Sequence, residues 1–238
     1  MPRILVGTRK GTFAVEKTSG SFKPKLLGHS GVGVNFVTRD PHTGTLWAAL
    51  GHGHWGAKLS RSKDDGVTWE DAPQIKYPQG ARYLAPPDPS ENEDPDAAPQ
   101  RFTSRTATLL KLWAISFGKD GAIYVGTIPG GLFTSRDGGE SLELNLGLWN
   151  HESRGGDLFN GEGNGMTHWF GTPASDGESA PGIHSIVTHP RDPKRLMVAI
   201  STAGVLETTD GGQTWRSRNK GLLMDYLPDP GAEWGHDP

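Results

Sequence analysis

The sequence predicts an all-β fold, a β-propeller of four-stranded antiparallel blades. Three observations predict it: a composition that favours turns over helices, a turn motif that recurs at a fixed interval, and short apolar runs that recur with it. Of 238 residues, 34 are glycine and 18 are proline, while hydrophobic residues make up only 34%. Glycine and proline are the poorest helix formers and the commonest turn residues, so such a chain reverses direction often. It is long enough to bury a real core as one large domain.

The turn motif occurs three times: Ser62-Lys63-Asp64-Asp65-Gly66-Val67-Thr68-Trp69, Ser135-Arg136-Asp137-Gly138-Gly139-Glu140-Ser141-Leu142 and Thr208-Thr209-Asp210-Gly211-Gly212-Gln213-Thr214-Trp215. Asp64, Asp137 and Asp210 stand one identical interval apart. A single window of this kind arises by chance at roughly one in 10⁵, so three in register mark a structural repeat. Upstream of each lies an apolar run: Leu46-Trp47-Ala48-Ala49-Leu50, Ile123-Tyr124-Val125-Gly126-Thr127 and Leu196-Met197-Val198-Ala199-Ile200, with Ile4-Leu5-Val6-Gly7-Thr8 as a fourth copy. Before these come Val34-Asn35-Phe36-Val37, Leu112-Trp113-Ala114-Ile115 and Ile183-His184-Ser185-Ile186, each ending in a Pro, Gly or Asp turn. Short apolar runs bounded by such residues are strands.

Each unit therefore reads strand A, tight turn, strand B, loop, strand C, Asp-containing turn, strand D, which is one propeller blade. Blade strands are placed near residues 3–27, 33–71, 112–145 and 183–217 of a single domain spanning 1–238, with long loops at 72–110 and 146–182 and a tail at 218–238. The first set lacks a strand A and the tail carries no strand-A pattern. The expectation is about four blades, an incomplete part of a six- to seven-bladed ring.

The three blocks resemble the Asp-box, or BNR, repeat of β-propellers found in sialidases, sortilin-type receptors, xyloglucanases and photosystem assembly factors. The stretch from Val125-Gly126-Thr127 through Gly130-Gly131-Leu132-Phe133 to Asp137-Gly138-Gly139 is highly characteristic of that group. The chain looks most like bacterial BNR-repeat proteins described as glycosyl hydrolase-like or sialidase-like. Fold and chemistry are separable, because one fold hosts many functions.

Composition excludes several classes. Lys plus Arg number 24 against 27 Asp plus Glu, a net charge of −3, which offers no basic stripe for nucleic acid or an anionic membrane. With no cysteine there is neither a disulfide framework nor a thiolate metal site. No stretch reaches the length of a membrane span, and Met1-Pro2-Arg3 runs straight into a strand without a signal-peptide pattern, so a cytoplasmic location is expected.

The Asp-box residues read as structure. An Asp whose side chain accepts backbone N–H groups just ahead of it fixes a turn, a Gly two positions on supplies the left-handed conformation, and the closing aromatic packs on a neighbour. This assigns structural roles to Asp64, Gly66, Trp69, Asp137, Gly139, Asp210, Gly212 and Trp215. In the N-terminal copy the box is decayed to Glu16-Lys17-Thr18-Ser19-Gly20.

In an antiparallel meander A–B and C–D turns share one face, and B–C and D–A loops share the other. The box face has only tight turns. The other face carries both long connections, and loops of that length are usually functional or disordered. The first, rich in Pro and acidic residues and flanked by Arg82, Arg101 and Arg105, reads as a mobile flap. The second carries Trp149, His151, Glu152, Arg154, Asp157, Phe159, Glu162, His168 and Trp169, a mixture of aromatic, charged and Gly-rich backbone that suits a sugar surface and equally one in which Trp149 and Trp169 only anchor the loop to the propeller. The enlarged B–C loop of the second blade adds His52, His54 and Trp55.

Aligning the A strands makes Asn35, Trp113 and His184 equivalent at the channel mouth, where His54 and His151 are expected to converge with His184, and His236 to join them from the tail. His52 and His54 form an H-x-H pair, but no third ligand is identifiable by spacing, so neither metal nor cofactor is expected. Partners are a small molecule, a carbohydrate or a protein at the long-loop face.

A sialidase resemblance would imply an arginine triad, a Tyr nucleophile with a Glu partner, and an Asp acid/base. Arg3 stands near the family's first arginine, but Pro2-Arg3-Ile4-Leu5 departs from its Arg-Ile-Pro motif, and Tyr77, Tyr83, Tyr124 and Tyr226 lack the expected context. A two-carboxylate glycosidase would draw on Asp71, Glu152, Asp157, Glu162, Asp225 or Glu233. The reading is a ligand-binding or assembly propeller, with an exo-acting, sialidase-like glycoside hydrolase as the alternative.

Overall fold

Four antiparallel sheets follow one another along the chain, each a simple meander. The structure, a computed structural model, describes residues 3–18, 20–53, 56–85, 103–161, 169, 181–201 and 203–223. The first sheet has three strands, β1 (Arg3–Thr8), β2 (Gly11–Thr18) and β3 (Ser21–Gly28). The second has β4 (Gly33–Arg39), β5 (Leu46–His52), β6 (Gly56–Ser62) and β7 (Glu70–Asp71). A two-stranded ribbon follows, β8 (Arg82–Ala85) with β9 (Thr103–Thr106). The third sheet is β10 (Lys111–Phe117), β11 (Ile123–Ile128), β12 (Leu132–Ser135) and β13 (Glu143–Leu144). A short helix α1 (Leu146–Trp149) and a 3-10 turn (Glu152–Arg154) lead on to the fourth, β14 (Ile183–Thr188), β15 (Leu196–Ile200), β16 (Gly204–Thr208) and β17 (Arg216–Ser217).

Packing follows from the period-two alternation of strand side chains. In β5, Leu46 faces back onto Ala14 and Leu27 of the first sheet. Trp47 and Ala49 face forward onto Ile115, Ile123 and Phe133 of the third. In β11 the division repeats, with Ile123 and Val125 turned back and Tyr124 turned forward onto Ile183, Leu196 and Val198. Strands covered on both faces must be apolar at nearly every position, and β11 is buried from end to end.

The innermost strands pack in series, β4 on β1, β10 on β4 and β14 on β10, which is the radial stacking of propeller blades. No comparable packing joins β14 to β1 among the described residues, so the four blades form an open arc. Among the described residues nothing covers its ends. Ile4, Phe22 and Leu26 are exposed at one, and Met197 and Val187 line a groove of about 290 Å³ at the other.

One expectation is corrected. The connection after the second blade is not simply a flap. The segments on either side of residues 86–102, which lie outside the described part, pair as β8 and β9 and bury Ala81, Tyr83, Ala85 and Ala107 against Ile128 and Trp149. In the first blade β2 and β3 run on in pairing to Thr18 and Ser21, where the sequence places the decayed box.

Candidate functional site

The two faces of the arc differ in how their polar groups are settled. On the box face each Asp is saturated. Asp137 Oδ1 accepts from the Glu140 and Ser141 amides, each at 3.0 Å, and from Ser135 Oγ at 2.8 Å, while Oδ2 accepts from Ser141 Oγ at 2.6 Å. Asp210 repeats this with Gln213, Thr214 and Thr208, and Asp64 with Thr68 and Ser62. Hydrogen bonds to the ionised form hold these carboxyls below the usual range. Those from Thr68 bring Asp64 to about 2, and those from Ser141 and Thr214 bring Asp137 and Asp210 lower.

The hydroxyl that opens each box also accepts the amide of its glycine, Ser62 Oγ from Gly66, Ser135 Oγ from Gly139 and Thr208 Oγ1 from Gly212. The closing tryptophans tie each blade to the one before: Trp69 Nε1 donates to Leu27 O at 3.1 Å and Trp215 Nε1 to Asn145 Oδ1 at 3.2 Å. Gly139 has φ 89°, and a Cβ there would run into the Trp47 indole of the preceding blade. Two wedges of about 370 Å³ each open between blades on this face, a mainly polar one lined by Thr134, Asp137, Glu143 and Asn145, and a second lined by Asp40, Trp47, Arg61 and Gly138. The sequence reading, which found only tight turns here, did not foresee them. Asp137, the box carboxylate in the first wedge, is already fully engaged.

The opposite face holds the departures from the repeat. Each complete inner strand carries a bulge at the same place, between Val34 and Phe36, Leu112 and Ala114, and Ile183 and Ser185. The extra residues are Asn35, Trp113 and His184. A bulge re-aims its side chain out of the alternation, and here Asn35 is exposed while Trp113 and His184 are half-buried. Trp113 and His184 meet edge to face, ring centroids 5.6 Å apart, and Lys111 Nζ lies 5.3 Å over the Trp113 ring. Nearby on the same face, Ala57, Leu59, Ile75, Leu109 and Leu112 line an apolar cavity of about 260 Å³, rimmed by the Lys58–Asp71 ion pair at 3.0 Å.

The second long connection begins with a cage around Arg154. Its guanidinium lies 4.3 Å from the Trp149 ring and 3.8 Å from the Trp169 ring, and Nη2 donates to Gly130 O. Asn145 caps α1 by accepting the Leu148 amide at 2.8 Å, and His151 starts the 3-10 turn. Burial, only partly offset by Tyr77, lowers the Arg154 pKa to about 9. The Tyr77 hydroxyl bridges Thr127 Oγ1 at 2.7 Å and Pro129 O at 2.5 Å, and burial raises its pKa. Gly130 N donates to Pro181 O at 2.8 Å, and Gly182 packs against Trp113, so the cage adjoins the bulge row.

The remaining candidates fall as follows. His151 Nδ1 lies 2.7 Å from Ser153 Oγ and its Nε2 lies 3.3 Å from Trp215 O, with burial as the main cause of a lowered pKa. Asp157 accepts the Phe159 and Asn160 amides and Asn160 Nδ2, fixing a local turn. Glu152 is exposed at the start of the 3-10 turn. Arg82 bonds Ser104 across the β8–β9 ribbon. Arg3 lies on the box face, paired with Glu16 and Asp65.

His54, Trp55, Arg101, Glu162, His168, Asp225, Tyr226, Glu233 and His236 lie outside the described residues, as does the side chain of His52. The expected convergence of His54 and His236 therefore lies outside them too. Among the described residues no three His, Asp or Glu side chains group as a metal site, and no helix is long and apolar enough to cross a membrane. Sequence reasoning missed the bridging role of Tyr77, whose only local sign was its place just before Pro78 at the start of a long connection.

No family model and no curated protein matches the chain. Among solved structures it is similar to a GH74 xyloglucanase from Xanthomonas campestris, at 16% identity over 90% of this chain and 36% of that one, with a TM-score of 0.39. It is similar to YCF48 bound to D1 peptide at 16% identity over 89% and 75% of the two chains, TM-score 0.29. It is also similar to PorZ, a surface component of the type-IX secretion system of Porphyromonas gingivalis, at 12% identity over 95% and 33%, TM-score 0.37. The chain spans about a third of the xyloglucanase and of PorZ. What identifies the fold is its own geometry: with three successive four-stranded meanders stacked radially, each closed by an aspartate-anchored turn, the chain is a partial β-propeller.

Proposed function

We propose that this chain is a ligand-binding propeller module that takes a carbohydrate on the face of its long connections, rather than a hydrolase. The observation that carries the reading is the bulge row. The same irregularity in three blades turns Asn35, Trp113 and His184 out of the core pattern at one end of the inner strands. An aromatic ring with an imidazole at its edge and the Lys111 ammonium over it, and an amide at the equivalent position of another blade, are groups of the kind that stack on a sugar ring and bond its hydroxyls.

Two observations weigh against the sialidase-like alternative. Tyr77 is held in two hydrogen bonds with its ionisation disfavoured, which does not suit a nucleophile. Arg3 is committed to carboxylates on the other face. The test is a glycan array read with the native protein and with Trp113→Ala and His184→Ala, together with a panel of aryl glycosides. The reading expects retained glycans whose affinity falls about tenfold or more in Trp113→Ala, without turnover of the panel. Binding unchanged in both variants, or turnover of a glycoside, would overturn it.

A further inference from the structure

Among the described residues Arg154 is the charge left least settled. It is 3% exposed, yet every arginine–carboxylate ion pair among the described residues involves another arginine: Arg3, Arg39, Arg61, Arg136, Arg195 and Arg218. Taking an ion out of water is costly unless a counter-charge and hydrogen bonds replace the solvent. The indoles of Trp149 and Trp169 supply cation–π attraction on its two faces. They cannot accept the N–H bonds, which lie in the guanidinium plane.

In that plane Nη2 is bonded to Gly130 O, while Nε is buried without a partner. Two further buried polar atoms of the same connection also lack one, Trp149 Nε1 and Asn150 Oδ1. One of the two indoles flanking the guanidinium therefore carries an unpaired donor of its own. The guanidinium edge at Nε is thus a buried charged donor left for an acceptor, and the Trp149 indole, stacked 4.3 Å from the guanidinium, reports on what reaches that edge.

We propose that Arg154, with Trp149 beside it, receives the carboxylate of a small acidic ligand, an acidic sugar or an organic acid of similar size. The proposal rests on the ligand-binding reading of the same face and names the chemistry of the ligand. A carboxylate is flat and offers two acceptors to a guanidinium edge. With both faces of the guanidinium covered, only a partner lying in its plane can pair with it. The cage adjoins the bulge row through Gly130, Pro181 and Gly182, so a sugar whose acid group enters it lies toward Trp113. Gly130 is part of the design, because a Cβ there would press on Trp169 and the guanidinium.

The test follows the Trp149 indole N–H resonance, assigned with Trp149→Phe, in the whole chain titrated with sodium D-galacturonate, sodium acetate, D-galactose and sodium chloride. Galacturonate and acetate are expected to shift it saturably, galactose and chloride not. In Arg154→Gln the affinity should fall at least tenfold. Arg154→Lys keeps a cation between the indoles but loses the fork, and should show a loss of similar size, so it stands in if the Gln variant fails to fold. Equal responses to chloride and carboxylate, or unaltered carboxylate affinity in Arg154→Lys, would overturn the proposal and leave Arg154 as a packing element alone. Neutral glycans that bind and depend on Trp113, with no carboxylate response, would defeat this proposal while sparing the binding function. Loss of both responses would defeat both.

Discussion

On the box face the charges are cancelled by neighbours, within a blade or across to the next. Asp65 sits between Arg3 and Arg39, Arg61 reaches Glu70 at 2.8 Å and Glu140 at 2.7 Å, and Arg136 meets Asp120 at 2.9 Å. Buried polar atoms without a hydrogen-bond partner occur on both faces, Arg3 Nε and Trp47 Nε1 on the box face and Trp149 Nε1, Asn150 Oδ1 and Arg154 Nε in the second long connection. But only the long-connection face holds a buried guanidinium with no carboxylate among the described residues, together with the three bulged side chains. The turns that close the blades find their counter-charges in the same blade or the next. The buried charge without one lies where the chain leaves the repeat, and that is where a ligand has something to gain.

Three measurements sharpen this contrast. The largest effect is expected from Trp149→Ala, which empties a fully buried indole site and strips one face from Arg154. Urea unfolding should show a loss of about 3–5 kcal/mol, and a loss near zero would mean that the cage is not part of the folded core. Gly139→Ala should cost about 1–3 kcal/mol in the same assay, because the added methyl meets Trp47 at a positive φ.

Smaller still is the acid response of the boxes. Their folded pKa values are depressed, so the stabilisation is complete above the ordinary carboxylate pKa near 4 and is lost as pH falls toward about 2 and below. The thermal midpoint should fall by several degrees across that window and be indifferent to the boxes between pH 7 and 5. Asp137→Asn should flatten the acid slope, and an unchanged slope would show that the box carboxylates do not couple to folding.

The blades were legible because their signal is local and repeated. Leu46, Ile123 and Leu196 occupy one register position, Trp47, Tyr124 and Met197 the next, and the structure assigns the two sets to opposite faces. Equivalence of Asn35, Trp113 and His184 was readable from the turns that follow them, but a bulge leaves no mark in a linear pattern, so what singles them out appeared only in the ladder. The β8–β9 ribbon was obscured because its two strands, four residues each, are separated by a proline-rich stretch that reads as disorder. Trp149 and Arg154 were visible as loop residues. Their meeting with Gly130 and Trp169 depends on closing long connections, and residue spacing does not encode that.

The completeness of burial along β11 has a consequence in time rather than in space. Its six residues are all buried, between sheets on either side, whereas six of the eight in β3 are exposed at the uncovered end of the arc. Backbone amides exchange with solvent through openings whose free energy rises with the contacts that must break. Deuterium should therefore enter the first sheet early and β11 last, so that the molecule breathes from its ends inward, with the strand leading into the Arg154 cage as its slowest element.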